Sequence, residues 1–264
     1  METSTSLMTD AVIPRPAATV LLLRDGAEGI EVFMATRHQR SSFMPGILVF
    51  PGGAVDPDDS HPALLGEGSP DDASRVAGIR EVFEEAGFLL ARPKGGTRLV
   101  DASQVEPFLA TARQSLCKGE AIFSTVMHEA GLVPATDCLI PFAHWVTPKY
   151  RSKRFDVRFY VTRAPEGQAG VHDDQEMIDS RWITPARAFD ETAAGKIRIV
   201  FATRSQLALL AKNGTVDEAL AAARARPLVK VEPEQFESPD GPALRIPAEA
   251  GYDVTEVLMR NIGE

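Results

Sequence analysis

Cysteine is nearly missing from this 264-residue chain. Cys117 and Cys138 are too few for a disulfide framework, and they lack the paired spacing of a zinc site. Long apolar runs are missing too, since no stretch approaches the roughly 18 residues of a membrane-spanning helix. Positive charge is scarce: 28 Lys and Arg against 37 Asp and Glu leave a net charge of −9. That balance argues against a nucleic-acid partner, which calls for a basic surface. It also means that an anionic ligand needs a metal or a local basic cluster to draw it in. Internal repeats are absent, and His38, His61, His128 and His144 show no ligand spacing. The start, Met1 to Asp10, lacks the basic and apolar regions of a signal peptide, so a cytoplasmic enzyme without a membrane partner is expected. With 44% hydrophobic residues the chain can bury a large core, as one domain or one domain with an appendage.

What is present in unusual density is carboxylate. Arg80-Glu81-Val82-Phe83-Glu84-Glu85-Ala86-Gly87-Phe88 packs three glutamates into five residues. At helical spacing Glu81 and Glu85 lie one turn apart, with Glu84 beside them. Like charges so close weaken a bare helix, and a divalent cation converts their repulsion into ligation. Upstream, Phe50-Pro51-Gly52-Gly53-Ala54-Val55-Asp56 ends a strand-like run on paired glycines.

Hydrophobic patterning places strands at 17–23 and 30–35 around a turn at 24–29, and a short buried strand at 47–50. The acidic helix covers 72–86, with Asp71 or Asp72 as its cap and Gly87 at its end. One or two helices are expected within 103–131, strands at 138–146, 155–163 and 177–183, and a helix at 185–194. A helix pair follows at 202–212 and 216–224, then a hairpin within 229–246 turning at Ser238-Pro239-Asp240-Gly241. Such an order implies a mixed α+β arrangement.

The paired glycines, loop and Arg-Glu-Val-Phe-Glu-Glu-Ala-Gly helix resemble the signature of the Nudix hydrolases. That pattern runs Gly, five residues, Glu, seven residues, Arg-Glu-aliphatic-x-Glu-Glu-x-Gly-aliphatic. Gly53 matches the opening glycine; Arg80, Glu81, Glu84, Glu85, Gly87 and Phe88 match the closing half. The chain departs from the pattern in two places. Gly53 and Arg80 are 27 steps apart rather than 14, an insertion of 13 residues, which we place in the Asp56–Asp71 loop. Counting eight back from Arg80, the first acidic position falls on Asp72. The resemblance implies an α/β/α sandwich, a mixed sheet between helices, with extra helices and a C-terminal extension. Its expected divisions are a flexible terminus at 1–14, the hydrolase domain at 15–212 with its signature at 53–88, and an extension at 213–264 packed on the domain.

By resemblance the activity is hydrolysis of a nucleoside diphosphate derivative with Mg²⁺ or Mn²⁺. Glu81, Glu84 and Glu85 are the expected metal ligands, joined by the carbonyl of Gly52 or Gly53, and Arg80 is expected to organise the carboxylates. The general base is Glu176 or Glu84, with His172 and Asp174 as competitors. Segment 34–56 and the Trp145–Asp156 stretch are similar to the coenzyme A diphosphatase branch, particularly enzymes with a long insertion in this signature. Coenzyme A or acyl-coenzyme A is therefore the leading substrate, cleaved to a phosphopantetheine and adenosine 3′,5′-bisphosphate. ADP-ribose, NADH or another nucleotide is the alternative, and a non-catalytic Nudix-fold binding module a more distant one. Arg37 and Arg40 suit the nucleotide phosphates, Gly52 allows close substrate approach, and Phe43 and Met44 suit the adenine or pantetheine. Lys149, Arg151, Lys153 and Arg154 form the dense basic run of an acidic chain, with Lys149 and Arg154 taken as substrate contacts. A homodimer is allowed for.

Overall fold

A computed structural model describes residues 12–40, 45–65, 72–170, 172 and 176–263. The first two strands are longer than the patterning predicts. Strand β1, Arg15–Gly26, and β2, Gly29–Arg37, are antiparallel, and Gly26 pairs with Gly29 across Ala27-Glu28. Gly29 sits at φ 113°, a conformation that glycine alone adopts freely. The expected six-residue turn contracts to two because charged Arg24 and Glu31 pair across the ladder, 2.7 Å apart.

Two short strands, β3 at Leu48–Val49 and β4 at Gly52–Ala54, lead into a 3-10 turn at Pro57–Ser60. The acidic helix α1 spans Asp72–Ala86, and Gly87 ends it at φ 73° with its N–H on Phe83 O at 3.0 Å. Beyond it lie β5 (Ala91–Pro93), α2 (Ala102–Cys117), α3 (Phe123–Glu129), β6 (Leu132–Pro134), β7 (Ile140–Val146), β8 (Phe155–Arg163), β9 (Met177–Ile183) and α4 (Pro185–Ala193). The chain continues through α5 (Phe201–Leu210), α6 (Val216–Ala225), β10 (Lys230–Val231), β11 (Glu234–Ser238), β12 (Gly241–Arg245) and β13 (Glu256–Leu258).

The main sheet runs β10-β7-β8-β1-β2-β3, with β4 also on β1 and β9 also on β2. At its centre β1 and β8 are parallel over nine residue pairs, from Arg15 with Phe155 to Leu23 with Arg163. Alternation along β1 divides the core between the two faces. Ala18, Val20 and Leu22 pack with Val76, Ile79 and Phe83 of α1, while Leu21 and Leu23 join the cluster of Leu207, Leu210 and Val216. This is the α/β/α sandwich, with a mixed sheet between helices.

Residues past 212 are woven into the same body. Helix α6 buries Val216 and Ala219 in the core, and β10 extends the main sheet beside β7. The tail hairpin turns at the foreseen Ser238–Gly241, and β13 adds a third strand that the alternation did not reveal.

Candidate active site

The paired glycines reach the site because β2 and β4 share one edge of β1. The upper part of β1 pairs with β2, and its lower part pairs Ala17 with Ala54, Ala18 with Gly53 and Thr19 with Gly52. A side chain at Gly52 would strike the Ala18 carbonyl, and one at Gly53 would strike the Glu81 carboxylate. Glycine is required at both because the sheet edge and the acidic helix leave no space for a Cβ.

A cleft of about 470 Å³ opens at this corner. Glu81, Glu84 and Glu85 line it together with Gly52, Gly53, Arg80, Arg37 and Glu176. Arg15, Ala17 and Thr19 of β1 enter its wall at strand alternation, as do Phe155 and Val157 of β8. Glu176 stands just before β9, whose pairing with β2 brings it to the end of that strand, and its carbonyl accepts the His38 N–H at 2.8 Å.

Arg80 is buried and organises the cluster. Its Nε donates to Asp59 Oδ1 at 2.9 Å and its Nη2 to Asp59 Oδ2 at 3.1 Å and to the Ala54 carbonyl at 2.9 Å. Its Nη1 donates to Glu81 Oε1 at 2.9 Å and to Glu84 Oε2 at 3.3 Å. Five contacts match the five N–H groups of a guanidinium. Glu85 Oε2 accepts the Gly52 N–H at 2.8 Å, tying the last turn of the helix to the glycine bend.

The acids cost free energy where they stand. Burial pushes the Glu81 carboxyl up to about 7, against the pull of Arg80 and with the charges of Glu84 and Glu176 adding to the rise. Burial also raises Glu85 well above the usual range, reinforced by Glu81 and opposed by Arg37 and the Gly52 amide. Glu84 is raised by burial despite Arg80. Desolvation lifts Asp59 as well, and the two-point pairing with Arg80 opposes it. Four carboxyls raised together by burial and mutual repulsion would each gain from a cation nearby. Among the described residues no three His, Cys, Asp or Glu side chains converge into a ready cage. Arg80 and Gly52 hold one oxygen each of Glu81, Glu84 and Glu85, leaving the other oxygen of each as donor.

The structure corrects two expectations. The first acidic position of the signature belongs to Asp59, the sixth residue after Gly53 and fully buried against Arg80. Asp72 instead opens α1. The extra residues thus fall after Asp59, within the 56–71 loop expected for them. Asp58 accepts from Ser124 N and Oγ at 2.9 and 2.6 Å, pinning the turn to α3. Counting forward from Gly53 as well as backward from Arg80 reveals Asp59; counting backward alone conceals it. Second, Arg154 offers no fork to a substrate. It is buried, and it donates to Thr147 O at 3.0 Å, Val12 O at 2.6 Å and Glu232 Oε1 at 2.5 Å, clamping the base of the β7–β8 loop.

The remaining candidates are scattered. Arg37 lines the cleft, whereas Arg40 and Lys149 are exposed and lie outside its wall. Phe43, Met44, Asp71 and Asp174 lie outside the described residues. The His172 ring approaches Ser180 Oγ at 3.1 Å. Arg15 escaped notice because an isolated arginine at a strand start carries no local signal.

A sandwich of this topology, with an Arg-Glu-rich helix facing a glycine bend, is the Nudix architecture. A sequence model of the NUDT19 Nudix domain matches residues 61–205, and the chain belongs to that family of Nudix hydrolases. It is 31% identical over 182 residues to a putative Nudix hydrolase 7 of Caenorhabditis elegans, covering 69% of this chain and 55% of that protein. It is 29% identical over 246 residues to the acyl-coenzyme A diphosphatase NUDT19 of Gallus gallus, covering 69% of this chain and 64% of that one. The chain therefore spans less than two thirds of these relatives. A Nudix hydrolase crystal structure from Alicyclobacillus acidocaldarius superposes with a TM-score of 0.67 at 27% identity, covering 80% of this chain and 96% of the other. Among the described residues no helix is long and apolar enough to cross a membrane.

Proposed function

We propose that the protein hydrolyses the diphosphate bridge of coenzyme A or an acyl-coenzyme A, with Mg²⁺ or Mn²⁺ as cofactor. The observation that carries this reading is the meeting of Glu81, Glu84, Glu85 and Glu176 with Arg37 in one cleft beside Gly53. The choice of substrate leans on the acyl-coenzyme A diphosphatase relatives.

Glu81, Glu84, Glu85 and the Gly53 carbonyl would hold the cation. When bound, a divalent ion neutralises charge on the phosphoryl oxygens and lowers the pKa of water. Arg80 keeps the carboxylates aimed while contributing no contact to the substrate, because its donors are already committed. Arg37 and Arg15 supply positive charge in the cleft wall for the diphosphate oxygens. Glu176 takes the proton of the attacking water. Glu84, which accepts from Arg80, is the alternative base. As the water oxygen bonds to phosphorus, the bridging P–O bond breaks and its electron pair leaves with the second phosphate. The products are two phosphate monoesters, phosphopantetheine (or its acyl form) and adenosine 3′,5′-bisphosphate.

Purified protein with Mg²⁺ or Mn²⁺ should convert coenzyme A to these two products, separable by chromatography. Faster turnover of ADP-ribose or NADH than of coenzyme A would overturn the substrate assignment.

A further inference from the structure

A second cavity, about 190 Å³, continues from the acidic cleft and shares Thr19, Arg37, Gly52, Phe155 and Val157 with it. Its other walls are mainly apolar and aromatic, with Trp145, Phe159, Phe201, Leu244 and Ile262 beside Thr147 and Thr203, and Tyr150 at the exposed rim. The indole of Trp145 is fixed by edge contacts to Phe201 and Tyr252, with ring centroids 5.7 and 5.5 Å apart, and its N–H donates to Tyr252 O–H at 2.8 Å. None of this chemistry serves the cutting of a diphosphate.

We propose that this cavity seats the purine base of the substrate, with the 3′-phosphate of its ribose against the basic lip that begins at Lys149. The proposal rests on the coenzyme A reading given above and adds to it which half of the molecule lies where. Three observations carry it. First, shared walls place the cavity next to the diphosphate site, so its occupant lies only a few bonds from the scissile bridge. That condition fits a nucleoside and excludes an acyl group at the far end of a pantetheine arm. Second, planar aromatic walls suit a planar base. A cavity of about 150 Å³ suffices for benzene, so roughly 190 Å³ suits a larger flat ring. A pantetheine arm, by contrast, needs partners for two amides, which these walls offer poorly. Third, Pro148 and Tyr150 line the cavity and flank Lys149, and the Arg151 guanidinium lies 5.2 Å over the Tyr150 ring, so these two cations stand beside the cavity mouth. Arg154, clamped on Thr147 O, holds that loop in place. The lip would let the enzyme favour a 3′-phosphorylated nucleotide over ADP-ribose or NADH, which lack that group. Pro233, Leu244 and Ile262 also give the C-terminal residues a role, since they lie beyond the family match and close the cavity.

Calorimetric titration of the metal-free full chain tests this without requiring turnover. Adenosine 3′,5′-bisphosphate should bind at least tenfold more tightly than AMP, and phosphopantetheine should not compete for the same cavity. Lys149→Ala should reduce that preference to about threefold or less while leaving AMP binding unchanged. Tyr150→Ala, at an exposed position that spares the core, should weaken both nucleotides about tenfold. Ala202→Phe, which fills the cavity from the first turn of α5, should do the same. Equal binding of AMP and the bisphosphate, or Ala202→Phe weakening phosphopantetheine and sparing the nucleotides, would overturn the proposal. Preferential bisphosphate binding without hydrolysis of any diphosphate under Mg²⁺ or Mn²⁺ would uphold this assignment and refute the catalytic one. Coenzyme A hydrolysis indifferent to the 3′-phosphate would do the reverse.

Discussion

Arg80 and Asp59 form a two-point ion pair, 2.9 and 3.1 Å, between the signature helix and the 3-10 turn 21 residues upstream. It joins the two ends of the interrupted signature and fixes the guanidinium that aims Glu81 and Glu84. Removing one member leaves a buried charge without its main partner.

Asp59→Asn should therefore lower unfolding stability by about 3 kcal/mol, the usual cost of breaking a buried pair. Hydrolysis should fall as well, because Arg80 is freed to pull Glu81 and Glu84 out of line. Urea denaturation and initial rates measure both. A loss below about 1 kcal/mol would place the pair among weak surface contacts.

Glu85→Gln should separate stability from activity. The amide oxygen still accepts from Gly52, but the buried charge beside Glu81 is gone. Metal-free protein at pH 8 should melt at a higher temperature than the parent, while kcat/KM drops by about a hundredfold or more. Retained turnover would rule out the ligand role.

Metal dependence of stability should itself depend on pH. Glu81 in the folded, metal-free protein holds its proton up to about 7, whereas an ordinary glutamate releases it near 4.5. Between those values the folded state binds more protons than the unfolded one, so stability declines as pH rises and the loss is complete above 7. Glu84, Glu85 and Asp59 are raised too and act in the same direction. A cation ligates the ionised forms, so Mg²⁺ should raise Tm more at pH 8 than at pH 6. Scanning calorimetry with and without EDTA would show it, and an equal gain at both values would contradict the cluster's role.

Glu176→Gln should cut kcat by 10² or more with little change in Tm, since the residue lies at the exposed rim of the cleft. An unaltered kcat would return the role of base to Glu84.

Local chemistry made much of this protein readable in one dimension. The helix at 72–86 follows from apolar spacing and a terminal glycine, and the acidic trio follows from helical period, because both depend on neighbours three or four residues away. The hairpin at 238–241 was equally local. Asp59 carries no periodic signal in a loop rich in aspartate, and counting back from Arg80 alone passes over it. The burial of Arg154 is invisible in its basic run, because the partners that enclose it, Glu232 and Val12, are distant in the chain.

What the sequence determined by itself is therefore the set of local elements and the cluster of carboxylates, since dihedral preference and side-chain period act over a few residues. The tertiary structure alone decided which of those charges meet. Glu176 is brought to Glu81 by strand pairing, Asp59 to Arg80 by a turn folded back on a helix, and the C-terminal residues to Trp145 by the pairing of β10 with β7. Partners of this kind are chosen by burial and strand register across long loops, where the number of possible pairings is large and neighbouring residues carry no record of the choice.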